Sequence, residues 1–152
     1  MSARRVPLLM LSIITPLVSG CRDGLGPSDV AGTYVLERVG GAPLPAEVFR
    51  DRQSMMQVLA DTLRLRDDGT GHYASIRAIH LLGGSLASDI PTRLDSDLQF
   101  EIVGTRIDIA FACPENANCI AGPHLVAHQH DGGLIIGTSL VADAPLRYRR
   151  VM

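Results

Sequence analysis

Between Leu98 and Phe111 the chain alternates apolar and polar residues on both sides of Gly104-Thr105. Successive side chains of a strand point to opposite faces, so the pattern describes two half-buried strands joined by a two-residue turn. Gly104 stands first in that turn, where a type II′ hairpin needs a positive φ. The turn then sets the register. Ile102 faces Ile107, Phe100 faces Ile109 and Leu98 faces Phe111 on one side, while Glu101 and Asp108 share the other side with water.

Strand-like runs of the same kind recur at 33–39, 57–66, 70–81, 106–112, 124–130, 134–140 and 146–151, besides 98–103. Asp67-Asp68-Gly69 suits a three-residue hairpin loop with Gly in the left-handed position. That loop pairs Leu63 with Tyr73 and Asp61 with Ser75. A third turn lies within Asp131-Gly132-Gly133. Longer connections at 40–56, 82–97, 113–123 and 141–145 alternate with these tight turns. The chain is therefore expected to be all-β, an eight-stranded antiparallel up-and-down barrel with one plain end and one decorated mouth. A barrel of that size is filled by side chains or holds one small ligand. With an even number of strands, both chain ends belong to the plain end and the longer loops to the mouth.

A leader precedes the strands. Arg4-Arg5 are followed by an apolar run from Val6 to Val18, shorter than the ~20 residues of a spanning helix. Pro7 and Pro16 would interrupt a buried helix. Leu17-Val18-Ser19-Gly20-Cys21 resembles the lipobox of bacterial lipoproteins. The resemblance implies that residues 1–20 are a signal peptide removed on export and that Cys21 is the lipidated N-terminus. Val6-Pro7 after the arginine pair points to the general secretory route rather than the twin-arginine one. For a source with two membranes, Arg22 next to Cys21 implies lipid-anchored placement in the outer membrane of the cell envelope, facing the periplasm. Residues 21–30 read as a lipidated tether and 31–152 as the barrel domain.

Removing the leader takes away two arginines and no acid, so the net charge moves from −2 to about −4. Nucleic acid wants a basic stripe and is not an expected partner. Cys113 and Cys119 remain in the exported portion, and such a pair predicts a disulfide worth about 2–3 kcal/mol for so small a loop. A lone C-x5-C is poor zinc spacing.

Gly32-Thr33-Tyr34 resembles the Gly-x-Trp that opens the first strand of lipocalins, with Tyr in place of Trp. Arg147, Arg149 and Arg150 resemble the last-strand arginine that packs across that aromatic. Together with Gly40-Gly41-Ala42-Pro43-Leu44-Pro45 and residues 63–73, they make the chain similar to the lipocalin-like (calycin-type) domains of small bacterial lipoproteins. The resemblance implies a binding protein.

Candidate ligand-binding residues are Tyr34, Phe49, Asp61, Tyr73, Arg77 and Phe100. Asp61 and Arg77 are the charged residues expected to point inward, as an anchor for a ligand or as a structural ion pair. Tyr34 with a last-strand arginine is expected to be a barrel-closing stack. Residues 47–57 are expected to form one or two helical turns after Pro45, serving as a Met-bearing lid or as a plug for the core. His124, His128 and His130 share one face. Two-residue turns at Asp131-Gly132 or Gly132-Gly133 put Leu125 and Ala127 inside and the histidines outside, whereas a three-residue turn would reverse them and favour a metal site. Apolar matching favours the outside placement.

No nucleophile elbow, metalloprotease helix or phosphate loop is present, so neither an enzyme nor a cofactor is expected. The expected partners are a bilayer, through Cys21, and a small apolar ligand in the barrel. The alternative is a protein-interaction or inhibitor module acting through a disulfide-stiffened mouth.

Overall fold

The computed structural model describes residues 24–82, 90–113, 124–137 and 144–151. After one helical turn, α1 (Pro27–Val30), the strands are β1 (Gly32–Val39), β2 (Ala42–Pro43), β3 (Ala46–Arg50), β4 (Ser54–Leu65), β5 (Thr70–Leu81), β6 (Ile90–Val103), β7 (Arg106–Phe111), β8 (His124–His130), β9 (Gly133–Ile136) and β10 (Leu146–Val151). Eight of them form a closed antiparallel barrel in the order β1-β10-β9-β8-β7-β6-β5-β4, with β4 returning to β1. β2 and β3 are short additions on β1 and β4. Closure pairs Tyr34 with Leu63 on one side and with Arg150 on the other. It leaves none of these eight strands as a free edge of the ring.

The turns follow from their residues. Ile102 pairs with Ile107, Phe100 with Ile109 and Leu98 with Phe111. Gly104 has φ 66°, as the first position of a type II′ turn requires. At the β4–β5 turn, Leu63 pairs with Tyr73 and Asp61 with Ser75. There Gly69 has φ 81°, and the Asp68 carboxylate accepts from the Thr70 amide at 2.9 Å and hydroxyl at 2.6 Å. The third hairpin uses the two-residue turn Asp131-Gly132, with φ 49° and 74°, and pairs Gln129 with Leu134. Gly133 follows, and a Cβ there would collide with the Tyr148 carbonyl, so the approach of β9 to β10 admits only glycine.

Thr33 lies opposite Val151 and Gly32 opposite Leu65, so chain entry, chain exit and the three tight turns share one end. This end is packed solid. Tyr34, Ile107 and Leu134 are fully buried, and Leu65 and Phe100 nearly so. α1 plugs it. Val30 is fully buried, Leu25 packs on the same core, and the Tyr34 hydroxyl donates to the Val30 carbonyl at 2.7 Å. Arg150 crosses the Tyr34 ring at 6.0 Å and donates to the carbonyls of Asp29 and Ala31. The barrel-closing stack expected of Tyr34 and a last-strand arginine is thus formed with Arg150.

Three expectations are corrected. Residues 47–57 are extended rather than helical. Ala46 and Val48 alternate into the core, and Asp51 Oδ1 accepts from the amides of Gln53 and Ser54 to turn β3 into β4. β6 begins at Ile90 rather than Leu98, pairing with β5 down its length. Finally, residues 27–30, read as tether, are built into the barrel end.

Candidate ligand site in the upper barrel

Toward the mouth the interior changes character. A bulge in β4 between Val58 and Ala60 shifts its pairing with β5. Val58 and Asp61, three residues apart, therefore both face inward, which strict alternation forbids. Val58 is 2% exposed and Asp61 4%. Across from them β5 supplies Tyr73, Ser75 and Arg77 at successive inward positions, and all three are buried.

These groups form one network. Asp61 Oδ2 accepts from the Tyr73 hydroxyl at 2.5 Å, and Oδ1 accepts from the Tyr148 hydroxyl, reaching across from β10, at 2.9 Å. Arg77 Nη2 donates to the Tyr73 oxygen at 3.1 Å, Nε to Ser75 Oγ at 3.3 Å and Nη1 to Met56 Sδ at 3.5 Å. Asp61 and Arg77 both point inward, yet the guanidinium meets the acid through Tyr73 rather than in a direct ion pair. The Phe111 ring packs edge-on against Tyr73 at 5.3 Å between centroids.

Burial sets the protonation states. Loss of water pushes the Asp61 carboxyl from 3.8 up to about 6, against the pull of hydrogen bonds from Tyr73 and Tyr148 and of the Arg77 charge. Burial first, then the Asp61 charge, pushes the Tyr73 hydroxyl up to about 12. Tyr148 is driven well above its ordinary value by the same causes. Both phenols are thus hydrogen-bond donors at neutral pH, and the carboxyl is the group of the network that changes charge near it.

A cavity of about 290 Å³ opens beside the network. Tyr73, Arg77 and Tyr148 form its polar side, and Leu94, Phe111, Leu125 and Leu146 its apolar walls. Asp61 sits behind the two tyrosines. Small side chains make the room: Ser96 stands opposite Tyr73 and Ser75 opposite Leu94. Leu94 is 41% exposed although it shares the inward parity of Ser96 and Leu98, because the strand here borders open space. A larger groove of about 580 Å³ runs past Arg66, Thr70 and Asp97 lower on the wall. Arg66 bonds locally to Thr70, and Arg66 and Asp97 face solvent, so that groove gathers no inward set of polar groups.

No known protein family, curated protein or solved structure matches the chain.

Of the residues singled out in the sequence, Asp61, Tyr73 and Arg77 come together. Tyr34 and Phe100 do not join them, because they pack the closed end. Phe49 does not either; it lies on β3 and is 44% exposed. Tyr148 is the member that sequence reasoning missed. Its signal was the alternation Leu146-x-Tyr148, overshadowed by the neighbouring arginines. His124, His128 and His130 are exposed on the outer face while Leu125 and Ala127 are buried. Among the described residues no three His, Cys, Asp or Glu side chains are placed to hold a metal. Cys113 is exposed just beyond β7 at the mouth. Its expected partner Cys119, and the expected lipidation site Cys21, lie outside the described residues.

Proposed function

We propose that this chain is a lipid-anchored, lipocalin-like envelope protein that binds a small, largely apolar ligand in the upper half of its barrel. The observation that carries the reading is the 290 Å³ cavity, walled by Leu94, Phe111, Leu125 and Leu146 and bounded on one side by buried donors. Its size is at the lower end of the ~300–1,000 Å³ usual for small-molecule sites, and its composition, mostly apolar with a few fixed polar groups, is theirs. The anchor reading draws on the lipobox-like residues ending at Cys21. The position of α1 supports the corresponding orientation: a chain tethered there presents its mouth away from the bilayer.

Binding of the neutral dye Nile red tests the ligand reading. Wild type should bind it with one site per chain, and Leu125→Trp, which fills the cavity, should abolish binding without loss of strand signal in circular dichroism. Dye binding unchanged by Leu125→Trp would sink the proposal. The anchor is tested separately, by incorporation of labelled fatty acid into wild type and its loss in Cys21→Ser.

A second reading has one observation of its own. Phe49, Leu81 and Leu82 are 44%, 54% and 39% exposed, and all lie at the mouth end. They would serve a protein-interaction or inhibitor module. Substituting all three with Ser should leave dye binding intact under the first reading and abolish partner capture under the second.

A further inference from the structure

Arg77 is 8% exposed, and guanidinium stays charged in any protein environment. A buried charge is ordinarily matched by an opposite one, because desolvation alone is costly. Here it is not. The three hydrogen bonds of Arg77 go to a phenol, a hydroxyl and a thioether, all neutral, and the thioether is a weak acceptor. Among the described residues no carboxylate lies within ion-pair distance of it. The nearest buried acid, Asp61, already has one oxygen taken by Tyr73 and the other by Tyr148. The acid on the cavity rim, Asp95, is held outward by Arg93 at 2.6 Å and approached by His72 at 3.5 Å. Guanidinium has five N–H donors, so two are unused and a third is poorly used. Arg77 also forms part of the cavity surface, beside Tyr73 and Tyr148 and facing the apolar walls of Leu94, Phe111, Leu125 and Leu146.

We infer that the ligand is a small amphiphilic acid whose carboxylate-class anionic head pairs with Arg77 and whose tail lies along Leu94, Phe111, Leu125 and Leu146. The inference rests on the ligand-binding reading and narrows it to one chemistry. A planar carboxylate matches the fork of the guanidinium, and the Tyr73 and Tyr148 hydroxyls hold Asp61 away from it. A cationic head would find no free carboxylate, since Asp61 is shielded by both phenols. A neutral apolar molecule would bring no acceptor to the unused N–H donors of Arg77. The apolar walls offer nothing to a second charge, so the ligand has a single anionic end.

The test is isothermal titration calorimetry of the full chain at pH 7.5 with octanoate, octan-1-ol and octylammonium. These probes share a tail and differ in the head. Octanoate should bind roughly tenfold to a hundredfold more tightly than octan-1-ol, as a charge-assisted pair in a dry site implies. Octylammonium should bind most weakly. Arg77→Gln should bring octanoate down toward the affinity of octan-1-ol, with an unchanged strand signal in circular dichroism reporting that the variant is folded. Arg77→Lys should keep a reduced preference for octanoate. If Arg77→Gln does not fold, the order of the three heads on wild type, together with Arg77→Lys, decides the matter. Octan-1-ol binding as tightly as octanoate, or octylammonium binding best, overturns the anionic head and leaves the apolar-ligand reading standing. No binding of any of the three overturns both.

Discussion

The two halves of the barrel are made by the same eight strands and are built in opposite ways. At the end where the chain enters, Tyr34, Leu65, Phe100, Ile107 and Leu134 fill the interior, and α1 is pressed in behind them. Toward the mouth the inward positions carry Asp61, Ser75, Arg77 and Ser96, and the space between them stays open. Large apolar side chains give the first half its cohesion. In the second half a hydrogen-bonded net stands beside buried apolar residues such as Val48, Val58 and Leu146, and a cavity stays open next to it. The largest fully buried side chains gather in one half and the cavity lies in the other.

Phe100→Ala should have the largest effect, because it empties the packed half. A loss of about 3–5 kcal/mol is expected in urea denaturation. A loss below about 1 kcal/mol would mean that the closed end is not a packed core, and the contrast between the halves would collapse.

Gly133→Ala comes next. Its Cβ would meet the backbone carbonyl of Tyr148, not the tip of a movable side chain, so the β9–β10 seam must shift. A cost toward the upper part of the ~1–3 kcal/mol range for overpacking is expected, with faster amide exchange along β10 as the local signature. An unchanged exchange pattern would show that the closed end yields more easily than its packing implies.

Asp61 sharpens the comparison from the other side, through pH. Its carboxyl rises from 3.8 to about 6 on folding. Because the folded value is the higher one, its contribution to stability is fully present below the unfolded value and is lost as pH rises through the folded one. Glu47, Asp51, Asp68 and Asp95 are held low, chiefly by their hydrogen bonds, and act in the opposite sense at more acid pH. Comparison with Asp61→Asn isolates the buried group. The variant should gain on wild type by about 2 kcal/mol between pH 4 and pH 7.5. A constant difference across that window would remove Asp61 as the titrating member of the upper half.

Leu94→Ala should do least. Its side chain is 41% exposed on the cavity wall, so a change within about 0.5 kcal/mol is expected in the same denaturation experiment. A large loss would show that the upper half is packed after all.

The contrast also explains what could be read from the sequence. The β6–β7 hairpin was legible to the residue, because turn chemistry and apolar alternation both specify one register there. Asp61 and Arg77 were legible as inward groups because Asp67-Asp68-Gly69 sets the pairing of β4 with β5. Beyond Asp61 strict alternation predicts Leu59 inside, whereas the bulge buries Val58 and leaves Leu59 37% exposed. A bulge is a local change of backbone with no fixed residue signature, so it stayed hidden. The first half of β6 was hidden for another reason. Of its inward residues Leu94 and Ser96 border the cavity and Thr92 is polar, and its outward ones Arg93, Asp95 and Asp97 are charged, so neither face shows an apolar period. Tyr34, Phe49 and Phe100 are aromatics that stand away from the cavity. Their distance from the cavity follows from where along each strand they stand, which composition does not encode. Among the described residues, the hollow half was the harder one to read, because a void leaves fewer apolar residues to mark it.

The seating of α1 at the closed end has a mechanical consequence. A pull on the chain ahead of Gly26 first meets Val30 and its hydrogen bond from Tyr34, and then runs along the axis of β1. The ladders of β1 with β10 and β4 lie across that axis, so the load is shared by many bonds sheared together instead of being met one bond at a time. Val151 is paired with Thr33 at the same end, so pulling the two termini apart would instead open this seam pair by pair. A pull on the entering chain alone is thus met in shear and a pull that separates the two ends is met by peeling, and the mouth lies outside both load paths.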